Sequence, residues 1–164
     1  MFYETPYHEA IALIERLQRR FFDVLKVELD KKEILDINPV QAMMLYKIGD
    51  DQMTVGELTL RGYYIGSNVS YNVKELQKTE YLEKTQSPHD KRSYRIKVSD
   101  KGQEICKLIS DMLSAHGKKM HPFNLDMPEI DDVNLSLRSL EEFWAAESKF
   151  TGLSSLDDDD GLLG

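Results

Sequence analysis

Over residues 8–29, Ala10, Ile14, Leu17, Phe21 and Val24 fall three or four positions apart, the spacing of one face of an α-helix. Leu13 and Leu25 widen this stripe, while Glu15, Arg16, Gln18, Arg19, Arg20 and Asp23 occupy much of the remaining surface. The pattern predicts a long amphipathic helix whose stripe is covered either within a small domain or by a partner. A break follows at Ile37-Asn38-Pro39. Asn38 suits an N-cap and Pro39 a first helical position, opening a largely apolar helix over 39–48 that Gly49-Asp50-Asp51 ends. Thr54 and Glu57 have capping-box spacing and predict a short helix to about Leu60. A further helix is expected over 67–79, capped by Ser67, with Val69, Val73 and Leu76 as its buried face.

The period changes after Tyr81. Residues 82–86 read as a strand, and Tyr94-Arg95-Ile96-Lys97-Val98 alternates apolar with basic, as a strand with one buried face does. The polar, turn-prone segment 87–92 between them predicts a hairpin with Lys91 and Arg92 at its tip. Ser99 then caps a helix over about 100–117, and His121-Pro122 breaks the pattern. In a last helix over 129–149, Ile130, Val133, Leu137, Leu140 and Trp144 form a seam suited to clasping another helix. The expected fold is mainly α with a small β-hairpin wing: a winged helix-turn-helix on a helical dimerisation frame. The expected divisions are 1–37 (N-terminal dimerisation helix), 38–99 (DNA-binding unit), 100–150 (C-terminal dimerisation helices) and 151–164 (a disordered acidic tail).

Charge sharpens this picture. The 164 residues carry a formal net charge of -8, which excludes a globally basic nucleic-acid coat. Between Thr54 and Gly102, however, nine basic residues face six acidic ones, so this segment is +3 and the remainder -11. A basic centre within an acidic chain draws phosphate to one face and discourages contact elsewhere. The single cysteine, Cys106, rules out an intrachain disulfide and a cysteine-rich zinc site. It reads as a structural cysteine in an apolar helix. The start of the chain lacks a signal-peptide pattern, and no apolar run approaches the ~20 residues that span a bilayer. A cytoplasmic protein with no membrane partner is expected.

Asn68, Ser70, Tyr71 and Lys74 cluster around the N-terminal half of helix 67–79. Asn can pair with an adenine edge, Ser with several edges, and Lys with guanine or phosphate. The amides near Ser67 can meet a phosphate. Arg92, with Lys91 beside it, is placed to enter an A·T minor groove. Asp90 is expected to orient Arg92 or the turn, and Arg95 and Lys97 to contact flanking backbone. The same residues would also suit an ordinary solvated surface.

The block from Ser87 through Asp90-Lys91-Arg92 to Val98-Ser99-Asp100-Lys101-Gly102 resembles the wing of the MarR family of winged-helix regulators. That pattern is an acid, any residue and arginine, then an apolar strand, a hydroxyl cap and a glycine. Residues 66–82 resemble the family's recognition helix and its exit, although Glu80 stands where the family often has glycine. The resemblance spans about 8–149. It implies a homodimer on a palindromic operator in double-stranded DNA, with half-sites about one helical turn, or ~34 Å, apart. The dimer would be built through the terminal helices, with Ile14, Leu17, Phe21, Ile130, Val133, Leu137, Leu140 and Trp144 as interface residues. It also implies a pocket for a small aromatic or phenolic effector between the DNA-binding lobe and the dimerisation helices. Phe21, Met43, Tyr46, Tyr63, Tyr64 and Met112 are the candidates there, and simple core packing is the alternative for each.

The combined reading is a dimeric sequence-specific transcriptional regulator, a repressor of small-molecule-responsive genes. The alternative is a winged-helix protein-interaction adaptor. No cofactor or metal is expected: His8, His116, His121, Asp126 and Glu129 have no spacing that enforces a site. An enzyme is not expected either, because His89-Asp90 has no nucleophile or phosphate cradle nearby and no HExxH, GxSxG or Walker pattern occurs.

Overall fold

The computed structural model describes residues 4–62, 66–86, 89 and 92–153. Tyr63, Tyr64, Asp90, Lys91 and the end of the tail lie outside the described residues, as does the side chain of Ser67. The elements run α1 (Pro6–Lys31), α2 (Pro39–Ile48), α3 (Val55–Gly62), α4 (Gly66–Lys78), β1 (Leu82–Gln86), β2 (Tyr94–Val98), α5 (Asp100–Gly117), a 3₁₀ turn (His121–Phe123) and α6 (Met127–Leu153). This is the expected order, with α1 and α6 longer than their apolar repeats indicated. Thr5 accounts for the earlier start of α1: its hydroxyl accepts from the His8 amide, and Pro6 follows at the first turn.

The Asn38 cap and the Thr54–Glu57 box both form, and the first is also a reciprocal pair. The Asn38 side chain accepts from the Gln41 amide at 2.8 Å, and the Gln41 side chain accepts from the Asn38 amide at 3.0 Å. Thr54 and Glu57 do the same at the head of α3, at 3.1 and 2.8 Å. Each box satisfies two amide donors that have no partner within the helix.

The strands pair antiparallel in the register Leu82↔Val98 through Gln86↔Tyr94. Met53, just before α3, exchanges two backbone hydrogen bonds with Ile96, at 3.1 and 2.8 Å. The hairpin is thereby stitched to the helix-turn-helix. The core gathers Leu25 and Leu29 of α1, Ala42, Met44, Leu45 and Ile48 of α2, Leu58 of α3 and Val69, Val73 and Leu76 of α4. Ile96 of β2 and Ile105, Ile109 and Met112 of α5 belong to it as well, as do Ile37, Met53, Tyr81, Leu82 and Val98.

The buried face of α1 is thus Leu25 and Leu29, at the C-terminal end of the expected stripe. Leu13, Leu17 and Val24 remain exposed, Leu17 by 61%. By contact the chain divides into Met1–Ala115 and His116–Gly164. In the second unit none of the described residues is buried. Val133, Leu137 and Trp144 of the α6 seam are exposed, and so are Leu135 and Phe143 on another side of the helix.

Candidate nucleic-acid interface

In α4 the apolar face is buried as its spacing requires, with Val69, Val73 and Leu76 at 0–1% exposure. Asn68, Ser70, Tyr71 and Lys74 face solvent, Tyr71 by 64%. Asn72 joins the buried side. Its side chain accepts from Gln41 Nε2 at 3.1 Å and donates to the Asn68 carbonyl at 2.8 Å. This pair bolts α4 to α2 and was not legible in the sequence, because Asn72 reads as one more polar residue of a surface helix.

The exposed face of α4 opens onto a cleft of about 350 Å³. Ser70 and Lys74 form one wall, Thr54, Val55 and Gly56 at the head of α3 another, and Arg92, Ser93 and Tyr94 of the wing the third. Arg92 also lines a second recess of the wing, with Lys84, Gln86, Ser93 and Tyr94. There the Lys84 ammonium lies 4.1 Å from the centre of the Tyr94 ring. The structure therefore brings Ser70, Lys74 and Arg92, which are 22 positions apart at most, around one cleft, and adds Lys84 to the basic surface. Lys84 was missed because its strand carries only one such residue. It counts among the nine basic residues of the Thr54–Gly102 segment, but nothing local placed it beside Arg92.

Arg95 and Lys97 are engaged within the chain. Arg95 donates to the Gln52 carbonyl at 2.7 Å and sits 3.4 Å from the Glu57 carboxylate, so it joins the wing to the head of α3. Lys97 pairs with Glu83 directly across the hairpin at 3.1 Å.

At the exit of α4, Glu80 adopts φ +66°, the left-handed turn that favours glycine. The Tyr81 amide then donates to the Leu76 carbonyl at 2.9 Å and closes the helix end. The hydroxyl cap and glycine of the wing block find their reason here. Ser99 Oγ donates to the Glu80 carbonyl at 2.7 Å and accepts from the Gly102 amide at 3.1 Å. A Cβ on Gly102 would lie 2.5 Å from the Tyr81 carbonyl oxygen. Beside them, the Tyr81 hydroxyl donates to Asp36 at 2.7 Å. Burial pushes the Asp36 carboxyl up, but hydrogen bonds from Tyr81 and Lys101 and the Lys101 charge outweigh it and hold it below its ordinary range. Burial, then the Asp36 hydrogen bond and charge, push the Tyr81 phenol well above its ordinary range.

Of the effector candidates, Phe21, Met43 and Tyr46 pack against the core as partly buried residues and Met112 is buried. Met112 also lines a groove of about 710 Å³ between the end of α1 and α5, with Ile34, Leu108 and Ala115 as apolar lining and Lys32 and Lys107 among its charged groups. Cys106 is half-buried, with its thiol 3.4 Å from the Leu45 carbonyl. Burial and then Asp50 push that thiol up, away from the thiolate. Among the described residues no group of His, Cys, Asp or Glu is arranged to hold a metal, and no helix is long and apolar enough to cross a membrane.

Residues 37–102 match the family model described as a winged helix DNA-binding domain. The chain is 35% identical over 146 residues to the exopolysaccharide II synthesis transcriptional activator ExpG of Rhizobium meliloti (strain 1021), covering 89% of this chain and 75% of that protein. Among solved structures, Streptococcus pneumoniae FabT in complex with DNA superposes with a TM-score of 0.70 at 18% identity, over 85% of this chain and 98% of that one. Staphylococcus aureus MarR in complex with salicylate and kanamycin gives 0.72 at 17% identity, over 88% and 95%. With its reading helix, its stitched wing and the serine–glycine seam behind them, the chain belongs to the MarR family of winged helix-turn-helix DNA-binding transcriptional regulators.

Proposed function

We propose that this protein binds a palindromic operator as a homodimer and represses genes that respond to a small aromatic or phenolic molecule. The observation that carries the DNA contact is the cleft shared by α4 and the wing, where Ser70, Lys74 and Arg92 converge. In this reading Asn68, Ser70 and Tyr71 face base edges in the major groove and Lys74 faces a base or a phosphate. Ser67 and Lys91 add backbone contacts at the ends of the site, and Asp90 orients Arg92. Arg92 reaches the neighbouring minor groove. Arg95 and Lys97 support the wing through Glu57 and Glu83, and their exposed ends contact flanking phosphate.

The dimer reading rests on exposed apolar surface. Leu17 on α1 and Val133, Leu137 and Trp144 on α6 face solvent in the single chain, as core residues of a symmetric interface would. Ile14, Phe21, Ile130 and Leu140 continue the same stripes. Sedimentation at low micromolar concentration should give a dimer, and a monomer there would refute this assignment.

The effector reading places a small aromatic or phenolic ligand against the apolar side of the α1–α5 groove, formed by Ile34, Leu108, Met112 and Ala115, while Lys32 and Lys107 are balanced there by Glu28, Glu104 and Asp111. Repression follows from steric exclusion of polymerase and needs no activation surface. ExpG is a transcriptional activator, so operator position decides the sign, and a promoter fusion measures it. The decisive experiment is selection of genomic fragments by the purified protein at about 150 mM salt, where non-specific binding is weak. A recurring palindrome supports the reading. No enrichment from a folded dimer would point to a protein-interaction adaptor instead.

A further inference from the structure

The last turn of α4 and the residues after it expose carbonyls that no helical amide can satisfy. Here three successive carbonyls receive donors from one short segment. Thr79 O accepts from Lys101 Nζ at 2.9 Å, Glu80 O from Ser99 Oγ at 2.7 Å, and Tyr81 O from the Ser99 amide at 3.0 Å. Gly102 closes against the Tyr81 backbone. The exit of the reading helix is thus fastened to the first turn of α5.

A third element meets the other two at Lys101. Its ammonium lies 3.2 Å from Asp36, in the link between α1 and α2, and 4.1 Å from the centre of the Tyr81 ring. The Tyr81 hydroxyl donates to the same Asp36 carboxylate at 2.7 Å. Lys101 therefore touches a carboxylate from the α1–α2 link and both a ring face and a carbonyl from the exit of α4. Its partners are 65 and 22 residues distant in sequence. The Lys101 side chain keeps 45% of its surface exposed, so the three contacts are made at the edge of the protein.

We infer that Asp36, Tyr81 and Lys101 form a joint that fixes the direction of α4 against α5 and thereby sets the half-site spacing that the protein accepts. The inference deepens the operator reading above and rests on it. In a dimer, an angular freedom at the exit of each reading helix becomes a variable distance between two helices that must enter successive major grooves. A tight joint makes one spacing favourable and penalises its neighbours. The three side chains act through α4 and are positioning residues. The reading face of Asn68, Ser70, Tyr71 and Lys74 is left unchanged.

The test compares the selected palindrome with versions whose half-sites are moved one base pair closer and one farther apart. Lys101→Met removes the charge and keeps an apolar stem over the Tyr81 ring. Tyr81→Phe removes a single oxygen and serves where the first variant folds poorly. Circular dichroism and sedimentation establish that each variant is folded and dimeric. The expected result is a 3- to 30-fold loss, to order of magnitude, in the affinity ratio between native and shifted spacings, with an unchanged slope of affinity against salt. A folded variant that keeps the wild-type ratio overturns the inference. So does one that loses affinity equally for every spacing, since that marks general destabilisation. Failure of the wild-type protein to select any palindrome is a separate result and overturns the operator reading itself.

Discussion

Replacing Gly102 with alanine should destabilise the protein, although alanine is the better helix former. Gly102 lies in the first turn of α5 and is buried. An added Cβ would sit 2.5 Å from the Tyr81 carbonyl oxygen and 2.5 Å from Val98 Cγ1, both nearly an ångström inside ordinary contact. Neither neighbour gives way easily. The Tyr81 carbonyl is backbone and accepts from the Ser99 amide at 3.0 Å, and Val98 is held in the hairpin opposite Leu82. Overpacking costs roughly 1–3 kcal/mol, and two approaches of 2.5 Å against fixed neighbours put this case at the upper end, about 2–3 kcal/mol. The glycine-to-alanine gain within a helix is about 0.8–1 kcal/mol and offsets part of it. A net loss of about 1–2 kcal/mol follows, or roughly 2–8 °C in Tm for a chain of this size. Gly56→Ala is the internal control. Its Cβ would meet only Thr54 Oγ, at 3.8 Å, so it should be neutral or stabilise slightly. Urea unfolding of the three proteins at equal protomer concentration measures both differences, because dimer stability depends on concentration. A Gly102→Ala protein as stable as wild type, or a Gly56→Ala protein damaged to the same degree, would refute the reasoning.

Other substitutions probe separate parts of the structure. Glu80→Gly relieves a left-handed backbone on a residue with a side chain and should stabilise by about 0.5–1 kcal/mol in the same unfolding assay; a loss would show that the Glu80 side chain outweighs its strain. Asn72→Ala leaves Gln41 Nε2 without its acceptor in a buried site and should cost about 1–3 kcal/mol, read as a lowered urea midpoint. Arg92→Ala should weaken operator binding by about 1–3 kcal/mol, most for sites with an A·T-rich flank, and equal affinity in a titration would remove Arg92 from the interface. Burial, and then the hydrogen bond to Asp36, raise the folded-state value of Tyr81, so the contribution of the buried, bonded phenol is fully present below its ordinary pKa of 10.0 and is lost as pH rises beyond it. Asp36 is shifted the other way, so its contribution is present above 3.8 and is lost as pH falls below it. Thermal melts from pH 8 to 11 should therefore show a steeper alkaline decline in wild type than in Tyr81→Phe.

Local order was written in the sequence wherever its cause is local. The Asn38-Pro39 start, the Thr54–Glu57 box and the alternating Tyr94–Val98 strand depend on neighbours within a few positions, and each appears where its spacing placed it. The apolar face of α4 follows from a 3/4 period, which leaves Asn68, Ser70, Tyr71 and Lys74 outside. The wing block carried the family because its cap and glycine serve a close approach that few other residues permit. Three features needed the folded chain. Arg95 belongs to Glu57 and the Gln52 carbonyl, Asn72 to Gln41, and Lys101 to Asp36. These partners are 31 to 65 residues apart, and no periodicity or propensity encodes a pairing across that distance. The same limit applies to α1. Its repeat announced a stripe from Ala10 to Leu25, yet only the end that reaches α2 is buried, because burial depends on what lies opposite a helix as well as on the helix itself.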